Sequence, residues 1–508
     1  MIGAGKKKII IYTQAYNAEN TLKRSIDSVL NQTYENFIYY VMDNGSDDDT
    51  WKIIQSYSVW EKRIVPLQNV SNNIWPKESN WLDFLWQHDK DDFFCMLDSD
   101  DEYDQSFLEK MLEFINKYQL DIVACGNDFV NAADNIVMRK RVVQQDMIIE
   151  KKEFSYKYPI YHQFMRTLWG KLYPVGVLRH ILESKTYLRF GNPVYGRDTL
   201  ITQEAFREAN RVGILSESLH KYYVSKSSDS FQFNNTRIMS DRILFNSAKE
   251  YLNSKCGSIH PTNFQFILEV YSMAIIDTMN VIKKSKMMLK DKLDGILNII
   301  QATETQEAIE RNQQSQKLLS YIKKLSLWIM HQKEAVLAEN RNMVAIFFSE
   351  LHIIPEKEIC WETSDYLLLL LAIRKGGIAD EVLDQKINEM LDKNMMLRGL
   401  NCSFSSCFPE LIELVMKEQY QKVLKLILDT VEADEDIPEE YIEYFLDLGL
   451  NVSAKLESNQ EFIYIKKLKI QYLMNIVETE RAIDELSDWD EILPEDVDFM
   501  LFRTLLNK

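Results

Sequence analysis

The chain has few of the residues that cross-link a fold or interrupt it: its 508 residues include 6 cysteines, 10 prolines and 15 glycines. The cysteines are scattered and contain no Cys-x-x-Cys pair, which argues against a disulfide framework and against a zinc site. Scattered cysteines are typical of reduced thiols. We therefore expect a cytoplasmic protein.

Long apolar runs are also missing. The sequence contains no stretch of about eighteen apolar residues, the length that a membrane-spanning helix requires. The N-terminus lacks the pattern of a signal peptide. The sequence therefore predicts no transmembrane segment.

Positive charge is in short supply. Lys and Arg number 59 against 77 Asp and Glu, which gives a formal net charge of −18, and most of the acidic excess lies after residue 400. Nucleic acid is not expected as a partner, because its phosphates would be repelled. The acidic residues either keep the protein soluble or face a basic acceptor or partner surface.

A chain of this length is expected to form two or three domains. Strands and helices alternate up to about residue 230, whereas later residues place Leu, Ile and Met at helical spacing with little Gly or Pro. We expect domains at residues 1–232, 233–355 and 356–508. The first is α/β and long enough for its own core. The others form a bundle or an array of helical hairpins, with some likeness to tetratricopeptide units.

The later helices are predicted from apolar residues that recur at helical spacing. Their expected bounds are residues 263–283, 290–313, 316–339, 365–374, 378–396, 408–429, 439–448, 459–479 and 494–506. These helices carry no chemical motif. We expect them to bind the acceptor, a partner or a second copy of the chain.

Three acids follow an apolar run in the segment Asp98-Ser99-Asp100-Asp101. The run is typical of a buried parallel strand, and open α/β sheets bind ligands at the carboxyl ends of their strands. Clustered carboxylates repel one another unless a cation lies among them, and oxygen ligands favour Mg²⁺, Mn²⁺ or Ca²⁺. A solvated acidic turn is the alternative for this segment taken alone.

Two earlier strands are predicted near the N-terminus. The first runs into Thr13-Gln14-Ala15-Tyr16-Asn17, and the second, residues 37–42, runs into Asp43-Asn44-Gly45. The acids at positions 47–49 suit the cap of the following helix, but Asp43 lies at the end of the strand itself. The order of strands, helices and acids predicts a doubly wound nucleotide-binding sheet.

Several motifs, in order, resemble the inverting family 2 glycosyltransferases. They are Tyr16-Asn17, Ser28-Val29-Leu30-Asn31-Gln32-Thr33-Tyr34, the segment from Asp43 to Thr50, Asp98-Ser99-Asp100-Asp101, Trp169-Gly170-Lys171-Leu172-Tyr173 and Gly196-Arg197-Asp198. The resemblance covers roughly residues 6–230. It implies a GT-A fold, a mixed sheet flanked by helices that binds a nucleotide-diphosphate sugar.

The resemblance also implies residue roles. Asp198 would be the catalytic base, and Mn²⁺ or Mg²⁺ would be bound by Asp100 and Asp98, with His220 as a third candidate ligand. The residues implied in binding the nucleotide sugar are Thr13, Ala15, Tyr16, Asn17, Asp43, Asn44, Asp98 and Ser99. The alternative for His220 is that it is a partly buried residue of a late strand. The alternative for Asp198 is that it caps a helix.

Three positions depart from the family pattern. Asn44 replaces an Asp, Arg197 replaces a Glu, and residues 69–80 lack the usual Gly and Arg. We expect Arg197 to hold the pKa of Asp198 down, because a nearby cation favours the carboxylate. The metal-binding acids and the base are retained.

The sequence thus predicts a metal-dependent inverting glycosyltransferase. Its donor would be a nucleotide-diphosphate sugar, with UDP-sugars preferred, and its acceptor a glycan, a lipid-linked sugar or a glycoprotein. A catalytically silent scaffold that acts through its helices is the alternative, favoured slightly by the substitutions. A nucleotidyltransferase would require a Gly-rich loop after the first strand, which residues 13–17 do not supply.

Overall fold

A computed structural model describes residues 7–72, 82–193, 195–224, 236–330, 419–432, 439–475 and 479–487, with a few single positions elsewhere after residue 330. The chain divides into two compact units. The first comprises Met1–Lys286 and Asn298–Ser315, and the second comprises Met287–Leu297 and Gln316–Lys508. The expected boundary at residue 232 falls inside the first unit, and the one at residue 355 falls on residues that are not described.

A mixed sheet of ten strands forms the centre of the first unit. The strands are β1 (Ile9–Ala15), β2 (Phe37–Asp43), β3 (Ile64–Gln68), β4 (Phe93–Met96), β5 (Glu102–Tyr103), β6 (Ile122–Asn131), β7 (Val137–Arg141), β8 (Met147–Glu150), β9 (Lys171–Pro174) and β10 (Arg211–Val224). Their order is β3-β2-β1-β4-β9-β6-β10-β5, with β7 beside β6 and β8 beside β10. The predicted α/β fold with a mixed sheet is confirmed.

The first four strands run parallel and end at one edge of the sheet. Ala15 lies opposite Asp43, and Tyr12 lies opposite Met96. The run Ile9-Ile10-Ile11 is fully buried, as expected for a strand covered on both faces. The residues that follow β1, β2 and β4 are therefore neighbours in space.

The other half of the sheet is built around β6. β10 runs parallel to β6, while β9 runs antiparallel to both β4 and β6. β9 thus joins the parallel half to the rest and carries Lys171 into the middle of the sheet. β7 continues along the same edge of β6, where Arg141 pairs with Asn127.

Helices flank the sheet and continue beyond it in the first unit. They are α1 (Leu22–Leu30), α2 (Thr50–Trp60), α3 (Phe107–Tyr118), α4 (Glu153–Tyr156), α5 (Tyr158–Tyr161), α6 (Val175–Ser184), α7 (Arg197–Glu208), α8 (Thr236–Cys256), α9 (Pro261–Lys284), α10 (Leu289–Ile300, shared with the second unit) and α11 (Thr303–Arg311). The single helix expected at residues 290–313 is wrong. Ala302 is extended between α10 and α11, and Thr305 Oγ1 donates to the Ile299 carbonyl oxygen at 2.6 Å.

Within the described residues, α9 is long and apolar enough to cross a membrane, with a mean hydropathy of 1.2 over its most apolar stretch. Its side chains, however, make specific contacts in the first unit. Asn263 donates to the Ser155 carbonyl oxygen at 3.0 Å, and Thr278 donates to Asp241 Oδ2 at 2.6 Å. These contacts are those of a core helix. The expected lack of a transmembrane segment stays a prediction.

The described part of the second unit is helical. Its helices are α12 (Gln316–Met330), α13 (Tyr420–Glu432), α14 (Glu439–Lys455), α15 (Asn459–Asn475) and α16 (Thr479–Ser487). From α13 to α16 each helix packs on the next. Lys469, nearly buried, joins three of them through contacts of 2.5 Å to both Asp447 and Glu485. The predicted helical C-terminal region is confirmed. The helices expected at 365–374, 378–396 and 494–506 lie outside the described residues or almost entirely so.

Candidate active site

The acidic turn after β4 is held from two sides. From α1, Ser25 Oγ donates to the carbonyl oxygen of Asp101 at 2.7 Å, and the Arg24 guanidinium donates to that of Asp100. From β10, the Tyr223 N–H donates to Asp101 Oδ1 at 2.9 Å. Asp101 is fully buried, whereas Asp98 and Asp100 keep part of their surface open. The turn therefore presents two carboxylates on a fixed backbone.

The carboxylate of Asp98 lies near those of Asp100 and Asp198. Burial, and then the charges of Asp100 and Asp198, raise the pKa of Asp98 well above its usual value. The sequence motif alone joined Asp98 to Asp100, but the fold brings Asp198 close to them from a hundred residues away. A divalent cation would relieve this repulsion, and two carboxylates suit Mg²⁺ or Mn²⁺ that keeps a diphosphate as a further ligand. No cluster of three or more acid, His or Cys ligands occurs in the described residues.

Asp198 lies in the first turn of α7, after Gly196, whose positive φ of 82° sets the entry into the helix. Burial raises the pKa of Asp198 to about 6, while Lys171, a backbone hydrogen bond from Leu168 and Arg197 oppose that rise. The expectation that Arg197 would keep this pKa low is wrong in its net effect. Arg197 acts in the expected direction, but desolvation outweighs it because the surrounding side chains displace water.

Lys171 is the cation that lowers the pKa of this base most. Its Nζ is buried and donates to the carbonyl oxygens of Thr167, at 2.6 Å, and Trp169, at 3.0 Å. Burial, and then the charge of Arg141, lower the pKa of Lys171 to about 7. Lys171 therefore holds the loop before β9 in place, and its charge lowers the pKa of Asp198.

His220 lies inside the site without reaching the solvent. Its ring stacks on Trp169 with centroids 4.4 Å apart, and its Nε2 is 3.3 Å from Asp101 Oδ2. Burial, and then the charges of Lys171 and Arg141, lower the pKa of His220 well below its usual value. The expected strand position is confirmed. Its role as a metal ligand stays a prediction, and the contact seen is with Asp101.

The residues after β1 shape the neighbouring pocket. Thr13 is fully buried and its Oγ1 donates to the Leu97 carbonyl oxygen at 2.7 Å, tying β1 to the acidic turn. Ala15 is buried, while Tyr16 is 44% exposed and so is free to meet a ligand. Asn17 has a positive φ of 47°, and its amide oxygen accepts from the Asp47 N–H at 2.9 Å.

Asp43 ends β2 and Asn44 follows it, and both residues are buried. Asp43 Oδ1 accepts from the Ser46 N–H and Oδ2 from the Gln68 amide, both at 3.1 Å, so each carboxylate oxygen already has one donor. Asn44 accepts from Asn69 at 2.8 Å and donates to Asn72 at 2.9 Å. Ser99 is half-buried within the acidic turn. The binding roles of these residues stay predictions.

Sequence reasoning missed the residues that hold the site. Arg24, Ser25 and Tyr223 bind the acidic turn, and Arg24 also lies 3.7 Å over the Tyr223 ring. One signal was available: Ser25 lies on the buried face of α1 beside Ile26, at a position where an amphipathic helix usually has an apolar residue.

Part of the chain is similar to known proteins. The Glycosyl transferase family 2 model matches residues 10–176. Glycosyltransferase GlyA of Streptococcus pneumoniae is 27% identical over 240 residues, 44% of this chain and 31% of that protein. The GalNAc(5)-diNAcBac-PP-undecaprenol beta-1,3-glucosyltransferase of Campylobacter jejuni is 23% identical over 205 residues, 40% of this chain and 60% of that protein.

A third relative is the UDP-Glc:alpha-D-GlcNAc-diphosphoundecaprenol beta-1,3-glucosyltransferase WfaP of Escherichia coli, 28% identical over 107 residues, 21% of this chain and 41% of that protein. The chain thus spans less than two thirds of the length of each of these relatives. Asp198 and His220 lie beyond the residues that the family model matches. Residues 10–176 of this chain form a glycosyl transferase family 2 domain.

Proposed function

We propose that the protein is a metal-dependent inverting glycosyltransferase that moves a sugar from a nucleotide-diphosphate donor to an acceptor hydroxyl. The observation that carries this proposal is that Asp98 and Asp100, inside the family 2 domain, lie close enough to Asp198, which follows that domain in the chain, for the three charges to interact. Two of these acids suit a cation beside the donor diphosphate, and the third suits a base.

The proposed reaction is a single displacement. The acceptor oxygen attacks the anomeric carbon while Asp198 takes the hydroxyl proton, and the bond from that carbon to the diphosphate oxygen breaks with inversion. A pKa of about 6 leaves Asp198 ionised at neutral pH yet basic enough for this transfer. Asp98 and Asp100 would hold Mn²⁺ or Mg²⁺, which offsets the charge of the departing nucleoside diphosphate.

The donor and acceptor are proposed from chemistry and from the relatives. We favour a UDP-sugar, because one relative is named for UDP-Glc. Two relatives are named for acceptors linked to undecaprenol through a diphosphate, so a lipid-linked sugar is the first acceptor to test. Thr13, Ala15, Tyr16, Asn17, Asp43, Asn44 and Ser99 remain the candidates for binding the nucleotide sugar.

The test is release of UDP from a panel of UDP-sugars, with and without Mn²⁺ and in the absence of acceptor. Slow metal-dependent hydrolysis of one donor supports the proposal. A protein that neither binds UDP with Mn²⁺ nor releases it from any donor would instead be the silent scaffold.

A further inference from the structure

A cluster of cations continues along the sheet from the proposed base. On one edge of β6, β9 pairs Lys171 with Ala124, and β7 pairs Arg141 with Asn127. Between them, the Cys125 N–H donates to the Gly170 carbonyl oxygen at 3.1 Å. The two pairing positions on β6 are three residues apart in sequence, or about 10 Å along a strand.

One nitrogen of the Arg141 guanidinium makes no hydrogen bond within the described part of the chain. Its Nη1 is buried and has no hydrogen-bond partner among the described residues. The group lies over the rings of Phe129 and Trp169, at 5.1 and 5.4 Å from their centroids. Aromatic faces attract a cation but do not accept hydrogen bonds from its N–H donors as an oxygen would. The Nη1 donors of Arg141 therefore remain available to a ligand.

The cations around Arg141 make its charged form electrostatically less favourable. Burial, and then the charges of Arg166 and Arg139, lower the pKa of Arg141 to about 10, and Tyr222 acts in the opposite direction. Arg141 and Arg166 together also depress the pKa of the buried His162, after burial itself. Like charges gathered around a partly desolvated guanidinium are unfavourable unless an anion joins them.

Arg166 links this cluster to the base. Its carbonyl oxygen accepts from Thr199 Oγ1 at 3.1 Å, and Thr199 follows Asp198 in the first turn of α7. Arg166 itself is exposed, so its guanidinium can reach a ligand. Lys171, whose donors bind carbonyl oxygens, adds charge between Arg141 and Asp198.

We propose that Arg141 and Arg166 bind a phosphate or diphosphate group carried by the acceptor, beside the hydroxyl that Asp198 deprotonates. This rests on the proposed function. The donor diphosphate belongs with Asp98 and Asp100, where a cation offsets its charge. The two arginines lie instead on the side of the base, and guanidinium groups bind phosphate with paired N–H donors.

The experiment titrates phenyl phosphate into the full-length protein by calorimetry, with phenol as the neutral probe. Wild-type protein should bind phenyl phosphate and not phenol. Arg141→Gln and Arg166→Gln should each weaken its Kd by about tenfold or more, the scale of a charge-assisted hydrogen bond. Lys140→Gln is the matched control on the opposite face of β7, where Lys140 pairs with Asp128 at 3.3 Å, and should leave Kd unchanged.

A second arm repeats the wild-type titration with UDP and Mg²⁺ at saturation. An unchanged Kd for phenyl phosphate supports an acceptor subsite. Competition by UDP would overturn it and assign the arginines to the donor diphosphate. Absence of phenyl phosphate binding, or equal binding by wild type and both arginine variants, would overturn the subsite altogether.

The outcome is separable from the proposed function. If the wild type failed to bind UDP, the proposed function would fail while the first titration still decided the anion site. The melting temperature of Arg141→Gln shows whether a weaker Kd comes from a lost anion contact or from a less stable fold. Arg166→Gln, at an exposed position, keeps the test decisive if Arg141→Gln does not fold.

Discussion

Asp101 Oδ1 accepts a hydrogen bond of 2.9 Å from the backbone N–H of Tyr223, a residue 122 positions later in the chain. This bond ties the acidic turn to the last strand of the sheet. Asp101→Ala leaves a buried N–H without an acceptor, which costs about 1–3 kcal/mol. We expect a lower melting temperature and weaker UDP binding. Asp101→Asn keeps a carbonyl oxygen and should lose much less; equal losses in the two variants would contradict the role of this bond.

Asp100→Ala tests the metal assignment. The variant should lose glycosyl transfer and the Mn²⁺-dependent rise in melting temperature that UDP gives to the wild type, because binding to the folded state stabilises it. Thermal shift with UDP and Mn²⁺, or with UDP and a chelator, measures both. Full activity of the variant, or wild-type activity that survives excess chelator, would contradict a metal held by this turn.

Asp198→Asn tests the base. The substitution is nearly isosteric, so UDP binding should survive while turnover falls about a hundredfold or more. The raised pKa adds a stability effect: the folded state holds this proton more tightly than the unfolded state, so the carboxyl destabilises the fold as pH rises through about 6. The Asn variant should therefore melt higher than wild type at pH 7.5 but not at pH 4. Loss of UDP binding in step with turnover would make Asp198 structural.

The pH profile of transfer should report the same carboxyl. Below about pH 6 the base is protonated, so kcat/KM should fall about tenfold per pH unit and level off above it. Arg197→Gln removes one of the cations that lower this pKa and should move the inflection to higher pH. An inflection that stays in place in this variant would separate Arg197 from the base.

Chain length tests where the catalytic unit ends. The sequence predicted an independent core in residues 1–232, but α8 packs on α7 and α5. Ser247 donates to Gln203 at 2.6 Å, and Tyr251 and Tyr161 share a hydrogen bond of 3.0 Å, all four side chains being buried. A chain ending at residue 315 should keep the wild-type UDP affinity, whereas one ending at 232 should be insoluble or melt lower. Equal melting temperatures of the two shortened chains would support the domain boundary at residue 232.

The parts of the site that sequence could predict are those with local motifs. Asp98, Asp100 and Asp198 follow strand ends or begin helices, and such positions are visible as patterns. The cluster that Arg141 and Arg166 form with Lys171 has no such pattern, although Lys171 itself lies in a motif. It forms because β9 and β7 share one edge of β6, a pairing between distant residues that periodicity does not encode. The net rise in the pKa of Asp198 was likewise missed, since desolvation depends on the packed environment and not on the neighbouring residue.

The amide of Asn44 connects two departures from the family pattern, the Asn at position 44 and the segment that begins at Asn69. It accepts from Asn69 and donates to Asn72, which an aspartate at position 44 could not do, because a carboxylate has no N–H to give. Gly45 lies against the same loop so closely that a Cβ would come within 2.6 Å of the Ser71 backbone. Asn44 and the Asn-rich segment after β3 are thus interdependent. An aspartate at position 44 would lose the hydrogen bond to Asn72 unless the Asn72 amide flipped to become the donor.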